Sequence, residues 1–297
     1  MGADATNDQA IEKIYETKGR PSDNPLIAHV GNYKQLKQIV KEIPAYVEKL
    51  IHEFSPGPIT YILKHNNVCS EKVTAGLDTI AVRIPAHPVA LQLLNACNFP
   101  VAAPSANLSG KPSPTSAEHV FNDLSGKIPL IIDGGHTGVG LESTVIDCTG
   151  ELPHILRYGS ITEKMIEQTL NIKLVETKQS PKNIPKSPGL KYKHYAPAIP
   201  LILVEGDSEK LKKEIIAYQT QGKNVGVLLS DQTAKKINID SNYKLGTTIE
   251  EVASNLYEGL RSFEKGTYDV IIAETYKKSG LGIAVMDRLT RASTKII

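Results

Sequence analysis

Lys18 and Arg20 stand two residues apart in the stretch Lys18-Gly19-Arg20-Pro21-Ser22-Asp23-Asn24-Pro25, which runs on into Leu26-Ile27-Ala28-His29. Gly19 and Pro21 make the backbone irregular, so the two cations need not point to opposite faces as they would in a strand. Asp23 and Asn24 are turn formers, and Pro25 biases Asn24 towards an extended conformation. Leu26-Ile27-Ala28 reads as a short buried strand with His29 at its end. Two cations, an amide and an imidazole on a stiffened turn suit a polyanion held beside a second polar group. The same residues also read as an exposed basic turn with a structural histidine, and spacing alone favours that plainer reading.

Further along, Arg83 sits on a strand between Val82 and Ile84. An inward cation there needs an anionic partner, either a ligand or a structural carboxylate. Ala103-Pro104-Ser105-Ala106-Asn107 follows a buried strand. Its small residues let backbone approach a flat ligand, with Ser105 and Asn107 supplying hydroxyl and amide, although a plain turn has the same composition. Asp133-Gly134-Gly135 through Gly140 lacks the Lys-Ser/Thr ending of a P-loop. His52, His65, His119, His136 and His154 show no metal-ligand spacing, so no protein-held metal is expected. Neither G-x-S-x-G nor HExxH occurs, and the chain offers no clear protein nucleophile.

These groups must be carried by alternating strands and helices. Thr6-x-x-Gln9 reads as a capping box for a helix ending at Gly19. Helical spacing covers 33–50 with a break at Pro44. Strands are expected at 59–63, 80–84, 100–103, 129–132, 144–147 and 155–157. Helices are expected after His87-Pro88, from Thr115-x-x-Glu118 to about Leu124, and from Ser160-x-x-Glu163 to about Leu170. Residues 176–200 collect five prolines and five lysines and have no acid after Glu176. This stretch is a linker, too rich in proline for a helix or a central strand. Lys191-Tyr192-Lys193-His194-Tyr195-Ala196 is unusual for a passive spacer and better suits a loop folded over a phosphate-bearing ligand. From Leu201 strands and helices alternate regularly, which predicts a small Rossmann-like parallel-sheet domain over 201–297. Ser279-Gly280-Leu281-Gly282 is turn chemistry, since the G-x-G-x-x-G pattern is incomplete.

The whole chain of 297 residues is long enough for two domains. Its 34 basic and 32 acidic residues leave a net charge of +2, which excludes a strongly basic nucleic-acid coat but not a local basic surface. Cys69, Cys97 and Cys148 form no C-x-x-C pair, which fits a reducing cytoplasm and small apolar packing roles. No apolar run reaches the ~18 residues of a membrane span, and no signal-peptide pattern opens the chain.

Taken as an ordered set, the motifs resemble the Sua5/YrdC/YciO family, the threonylcarbamoyl-AMP synthases. The set comprises Lys18-x-Arg20…Asn24…His29, Ser55-Pro56-Gly57-Pro58-Ile59-Thr60, Val82-Arg83-Ile84-Pro85, Ala103-Pro104-Ser105-Ala106-Asn107-Leu108-Ser109-Gly110, Asp133-Gly134-Gly135, Leu141-Glu142-Ser143-Thr144-Val145 and Lys191-Tyr192-Lys193-His194-Tyr195-Ala196-Pro197. The last belongs to the longer Sua5 form. The resemblance implies an α/β protein: a twisted mixed-sheet YrdC-like domain over 1–175, a linker and active-site lid over 176–200, and a Sua5 domain over 201–297. It implies Lys18 and Arg20 as catalytic phosphate-holding residues. It further implies Arg20, Asn24, Thr79, Ser105, Asn107, Ser113, Arg157 and Tyr195 as ATP contacts, and His29, Arg83, Ala103 and Ser143 as L-threonine contacts. Substrates would be ATP, L-threonine and bicarbonate, with Mg2+ held mainly by ATP phosphates. The product would serve t6A modification of tRNA through a separate transferase. Met1-Gly2-Ala3-Asp4 aligns just after a Thr-x-Tyr-Gly-Leu segment that lines the amino-acid pocket in the family, so one or more strands and one substrate contact are expected to be missing. Two other functions fit the same family fold: a non-catalytic binder of tRNA or double-stranded RNA, and a carbamoyl transferase of the hydrogenase-maturation type.

Overall fold

Strand periodicity decides which side chains meet on the first sheet. In the computed structural model, which describes residues 1–174 and 195–297, seven strands are formed: β1 (Ala3–Asp4), β2 (Ile27–His29), β3 (Ile59–Lys64), β4 (Thr79–Arg83), β5 (Val101–Ala102), β6 (Thr144–Asp147) and β7 (His154–Arg157). Their order is β1-β5-β2-β4-β3-β6-β7. β2–β4 and β3–β6 pair parallel, while β1–β5, β2–β5, β3–β4 and β6–β7 pair antiparallel, so the sheet is mixed as expected.

One face of this sheet is thickly covered. Ala28, Tyr61, Leu63, Ile80, Val82 and Ile146 join Ile11, Ile14 and Tyr15 of the helix Asp8–Lys18, Val47 and Leu50 of Ala45–Phe54, and Ile166 of Glu163–Leu170 in one buried core. The residues of opposite parity form only a small apolar cluster, Ile27, Ile62, Ala81 and Val145. On the same parity stand His29, Thr60, Thr79 and Arg83, and Arg157 is the register partner of Val145. The thinly covered face is therefore the polar one.

The second sheet contains β8 (Leu201–Val204), β9 (Val225–Leu229), β10 (Tyr243–Lys244), β11 (Val270–Glu274) and β12 (Lys295–Ile296), in the order β10-β9-β11-β8-β12. Every pairing in it is parallel. β9 is buried along its whole length, as a strand covered on both faces must be. The helices Ser208–Thr220, Asp231–Ile237, Ile249–Ser262 and Leu281–Ala292 alternate with the strands.

The chain divides into two compact units. The first holds Met1–Leu108, Leu124–Gly134 and the described part of Glu142–Tyr192; the second holds Ser109–Asp123, Gly135–Leu141 and the described part of Lys193–Ile297. Lys191–His194 of the expected lid, with the linker before it, lies outside the described residues. Among the described residues no helix is long and apolar enough to cross a membrane.

Several local expectations are corrected. Residues 129–132 form no strand; Pro129 supplies no ladder donor, and Leu130 and Ile132 are exposed instead of buried. The first helix is capped by Asn7, which accepts from Ala10 N at 3.1 Å, because Thr6 spends its hydroxyl on Asp4. Thr162, not Ser160, caps the helix Glu163–Leu170. Ser116 accepts from His119 N at 3.3 Å, while the Thr115 hydroxyl turns to Glu258. In each case neighbouring residues can all cap, and the one with the extended cap backbone or without a better partner does so.

Candidate functional site

The helix Asp8–Lys18 stops at Gly19, whose φ of 59° is left-handed and whose N–H donates to the Glu16 carbonyl at 3.0 Å. Only glycine takes that conformation without strain. The turn delivers both cations to the interior: Lys18 is 3% exposed and Arg20 9%. This burial overturns the reading of an exposed basic turn. Lys18 Nζ donates to the carbonyls of Ser105 at 2.6 Å and Asn107 at 2.7 Å. Arg20 Nη2 donates to the Asn24 carbonyl at 3.0 Å and the Pro25 carbonyl at 3.3 Å, and its guanidinium lies 6.0 Å from the Tyr15 ring centroid. The Tyr15 hydroxyl also donates to the Asn24 carbonyl, at 3.1 Å, and burial pushes that phenol up to about 12. Asn24 itself is fully buried, yet neither Oδ1 nor Nδ2 has a hydrogen-bond partner among the described residues. A buried amide with both atoms unmet is costly and asks for a ligand.

At the other end of β2, His29 and Arg83 are register partners across the parallel β2–β4 pair. The His29 Nδ1 lies 3.1 Å from the Ile27 carbonyl. Burial, and after it the Arg83 charge, pull His29 down to about 3, which the Ile27 and Val101 carbonyls do not offset. The imidazole is therefore neutral near pH 7. Arg83 Nε donates to the Gly57 carbonyl at 3.0 Å. Burial and the neighbouring Arg157 lower its guanidinium to about 10, and among the described residues no carboxylate pairs with it. Arg157, 8% exposed, donates from Nε to the Ser143 carbonyl and from Nη2 to Ser143 Oγ, both at 3.0 Å. Ser143 Oγ in turn lies 2.7 Å from Thr60 Oγ1. Gly159 makes this packing possible, since a Cβ there would sit 2.5 Å from Thr144 N. Two guanidiniums and a neutral imidazole on one sheet face form a seat for a carboxylate or phosphate.

The remaining expected residues are distributed as follows. The Ala103 N–H donates to the Ile27 carbonyl at 3.0 Å, which ties the 103–107 loop to β2. Asn107 is 5% exposed and its Nδ2 donates to the Leu108 carbonyl at 2.9 Å. Thr79 opens β4 on the same face as Arg83, about 13 Å along the strand at roughly 3.3 Å per residue. Arg20, anchored at Pro25 before β2, lies towards that same end. Ser113 and Tyr195 belong to the second unit. Tyr195 is buried there with φ 67°, its ring 5.4 Å from that of Tyr257 and 5.8 Å from the Arg288 guanidinium.

Sequence reasoning gave Thr60 and the Gly57 carbonyl no role, although both lie in a motif it quoted. Period-2 alternation along β3 was the available signal, placing Thr60 on the face of Ile62. A surface cleft of about 380 Å3 lies outside the turn, lined by Glu12, Tyr15, Glu16, Gly19, Arg20, Ser22 and Lys72. Its two carboxylates make it a poor seat for a polyanion, so the polar sheet face is the better candidate. Among the described residues no group of His, Cys, Asp or Glu can hold a metal ion.

Residues 1–159 match the Sua5/YciO/YrdC family model, described as telomere recombination, and residues 161–294 match the model for the threonylcarbamoyl-AMP synthase C-terminal domain. The threonylcarbamoyl-AMP synthase of Bacillus subtilis is 46% identical over 297 residues, 99% of this chain and 86% of that protein. That of Pyrococcus abyssi is 46% identical over 299 residues, 99% of this chain and 87% of that protein. The crystal structure of P. abyssi Sua5 complexed with L-threonine matches with a TM-score of 0.91 at 44% identity, covering 99% of this chain and 88% of that one. With its mixed sheet, its all-parallel second sheet and a match to both domain models in order, the chain belongs to the Sua5/YciO/YrdC family in its two-domain Sua5 form.

Proposed function

We propose that the protein is a threonylcarbamoyl-AMP synthase, a nucleotidyltransferase acting on L-threonine, bicarbonate and ATP. Threonine's amine and bicarbonate give a carbamate with loss of water. A carbamate oxygen then attacks the α-phosphorus of ATP, the bond to the β-phosphate oxygen breaks, and pyrophosphate leaves. No protein nucleophile is needed, so the protein positions reactants and neutralises charge.

The observation that carries the reading is the His29–Arg83 pair, with a half-buried guanidinium that no carboxylate meets among the described residues. Arg83 takes the threonine carboxylate, while neutral His29 orients the amino acid by hydrogen bonding and not by charge. Ser143 and the Ala103 backbone are further threonine contacts. For ATP, Arg20, Asn24, Thr79, Ser105, Asn107 and Arg157 are the contacts, and Lys18 and Arg20 offset phosphate charge. Ser113 and Tyr195 are assigned to ATP by resemblance. Mg2+ belongs to the substrate, on the phosphate oxygens of ATP; the site's cations do not suit a protein-held metal. The product would pass, in the cytoplasm, to a tRNA-modifying threonylcarbamoyl transferase.

The test is pyrophosphate release from ATP. It should require both threonine and bicarbonate; release independent of either, or none at all, overturns the reading.

A further inference from the structure

Thr60 and Ser143 hold two hydroxyls 2.7 Å apart, both within the first unit. Thr60 lies on β3 and is fully buried; Ser143 immediately precedes β6 and is 1% exposed. Solvent therefore satisfies neither, and their hydrogen bonds must come from the protein or from a ligand. The Ser143 Oγ accepts from Arg157 Nη2 at 3.0 Å, while Arg157 Nε donates to the Ser143 carbonyl. Among the described residues neither hydroxyl has a further partner.

In this pair the protons outnumber the acceptors. Each hydroxyl carries one proton and can accept two bonds. The contact between them uses one of the two protons. Arg157 has no acceptor and adds only donors. One hydroxyl proton is left over in a site closed to water, where an unmet donor is costly. Its complement is an acceptor without protons of its own. Arg157 and the neighbouring Arg83, whose charges act on each other, make that acceptor the oxygen of an anion. Ser143 is the hydroxyl bonded to Arg157, so it lies where an anion meets the guanidinium. Thr60, with no exposed surface, can then pass its own proton only to Ser143.

We propose that Thr60 is a positioning residue acting through Ser143: it donates to the Ser143 oxygen and so turns the Ser143 proton onto a carboxylate oxygen of the amino-acid substrate. With Arg157 and Thr60 both donating into it, the Ser143 oxygen has no acceptor site to spare, and its own O–H becomes a stronger donor. The inference deepens, and rests on, the reading of Ser143 as a threonine contact. A phosphate oxygen of ATP offers the same chemistry, so the test follows both ligands.

The test is the affinity of the full chain for L-threonine, read by calorimetry, with ATP affinity measured alongside. Thr60→Val keeps the shape and removes the donor; Thr60→Ser keeps the donor. Thr60→Val should weaken threonine binding about five- to tenfold and leave ATP binding unchanged, the loss expected for one hydrogen bond. Thr60→Ser should bind threonine as the parent does. Ser143→Ala is the reference. Thr60→Val combined with Ser143→Ala should bind threonine no more weakly than Ser143→Ala alone, because Thr60 acts only through that hydroxyl. If Ser143→Ala leaves threonine affinity unchanged, the reading of Ser143 fails and takes the inference with it. If Ser143→Ala weakens threonine but Thr60→Val does not, or if the two losses add in the double variant, or if Thr60→Val weakens ATP instead, the inference fails and the reading of Ser143 stands. Affinity and not turnover is read, so the hydroxyl pair is judged independently of the proposed reaction.

Discussion

His29 and Arg83 are register partners on adjacent parallel strands, with their side chains on one face of the sheet. Burial, and after it the Arg83 charge, keeps the imidazole neutral, while burial and the neighbouring Arg157 lower the guanidinium without discharging it at pH 7.

The first prediction concerns acid stability. His29 is about 3 when folded and 6.5 in its ordinary state. Between those values the unfolded chain binds the proton and the folded one does not, so stability falls as pH drops from 6.5 towards 3. His29→Gln should flatten that slope in urea unfolding followed against pH. The same shift means that no inflection near pH 6.5 in the pH–rate profile belongs to His29.

Much of this was legible in the sequence, and the reason is periodic. Alternation along β3 and β4 separates Tyr61, Leu63, Ile80 and Val82 from Thr60, Thr79 and Arg83, which foretells a thick core face and a polar face. Gly19 as a helix stop follows from its type alone. Long-range events were not legible. Nothing local says that Lys18 reaches Ser105 and Asn107, 87 and 89 residues away, and so is buried. β10 and β12 are two residues long and carry no period. Pro129–Ile132 has strand composition but gains no partner, and composition cannot supply one.

Arg83→Ala should raise KM for threonine by about thirty- to a hundredfold, the range of a lost charge-assisted hydrogen bond to a carboxylate. Its effect on KM for ATP should be small by comparison. Steady-state pyrophosphate release with each substrate varied in turn reads both, and an equal loss for both substrates would contradict the assignment.

Thr60→Val removes the hydroxyl that meets Ser143 at 2.7 Å in a fully buried site. Ser143 keeps its contact with Arg157, so the loss of stability should be confined to about 1–2 kcal/mol. Thr60→Ser should recover most of it. Denaturant midpoints of the two variants give the comparison.

Asn24 separates stability from function most sharply. Its amide is fully buried with both polar atoms unmet among the described residues. Folding therefore strips water from the amide without compensation, a cost of about 1–3 kcal/mol that an apolar residue of similar shape avoids. Asn24→Leu should raise stability by about 1 kcal/mol or more in urea unfolding without ligand. It should also raise KM for ATP, because the amide is held ready for the nucleotide. ATP should then stabilise the parent more than the variant, since only the parent gains the missing hydrogen bonds on binding. A variant less stable than the parent would mean that the amide has a structural partner, and Asn24 would lose its place among the ATP contacts.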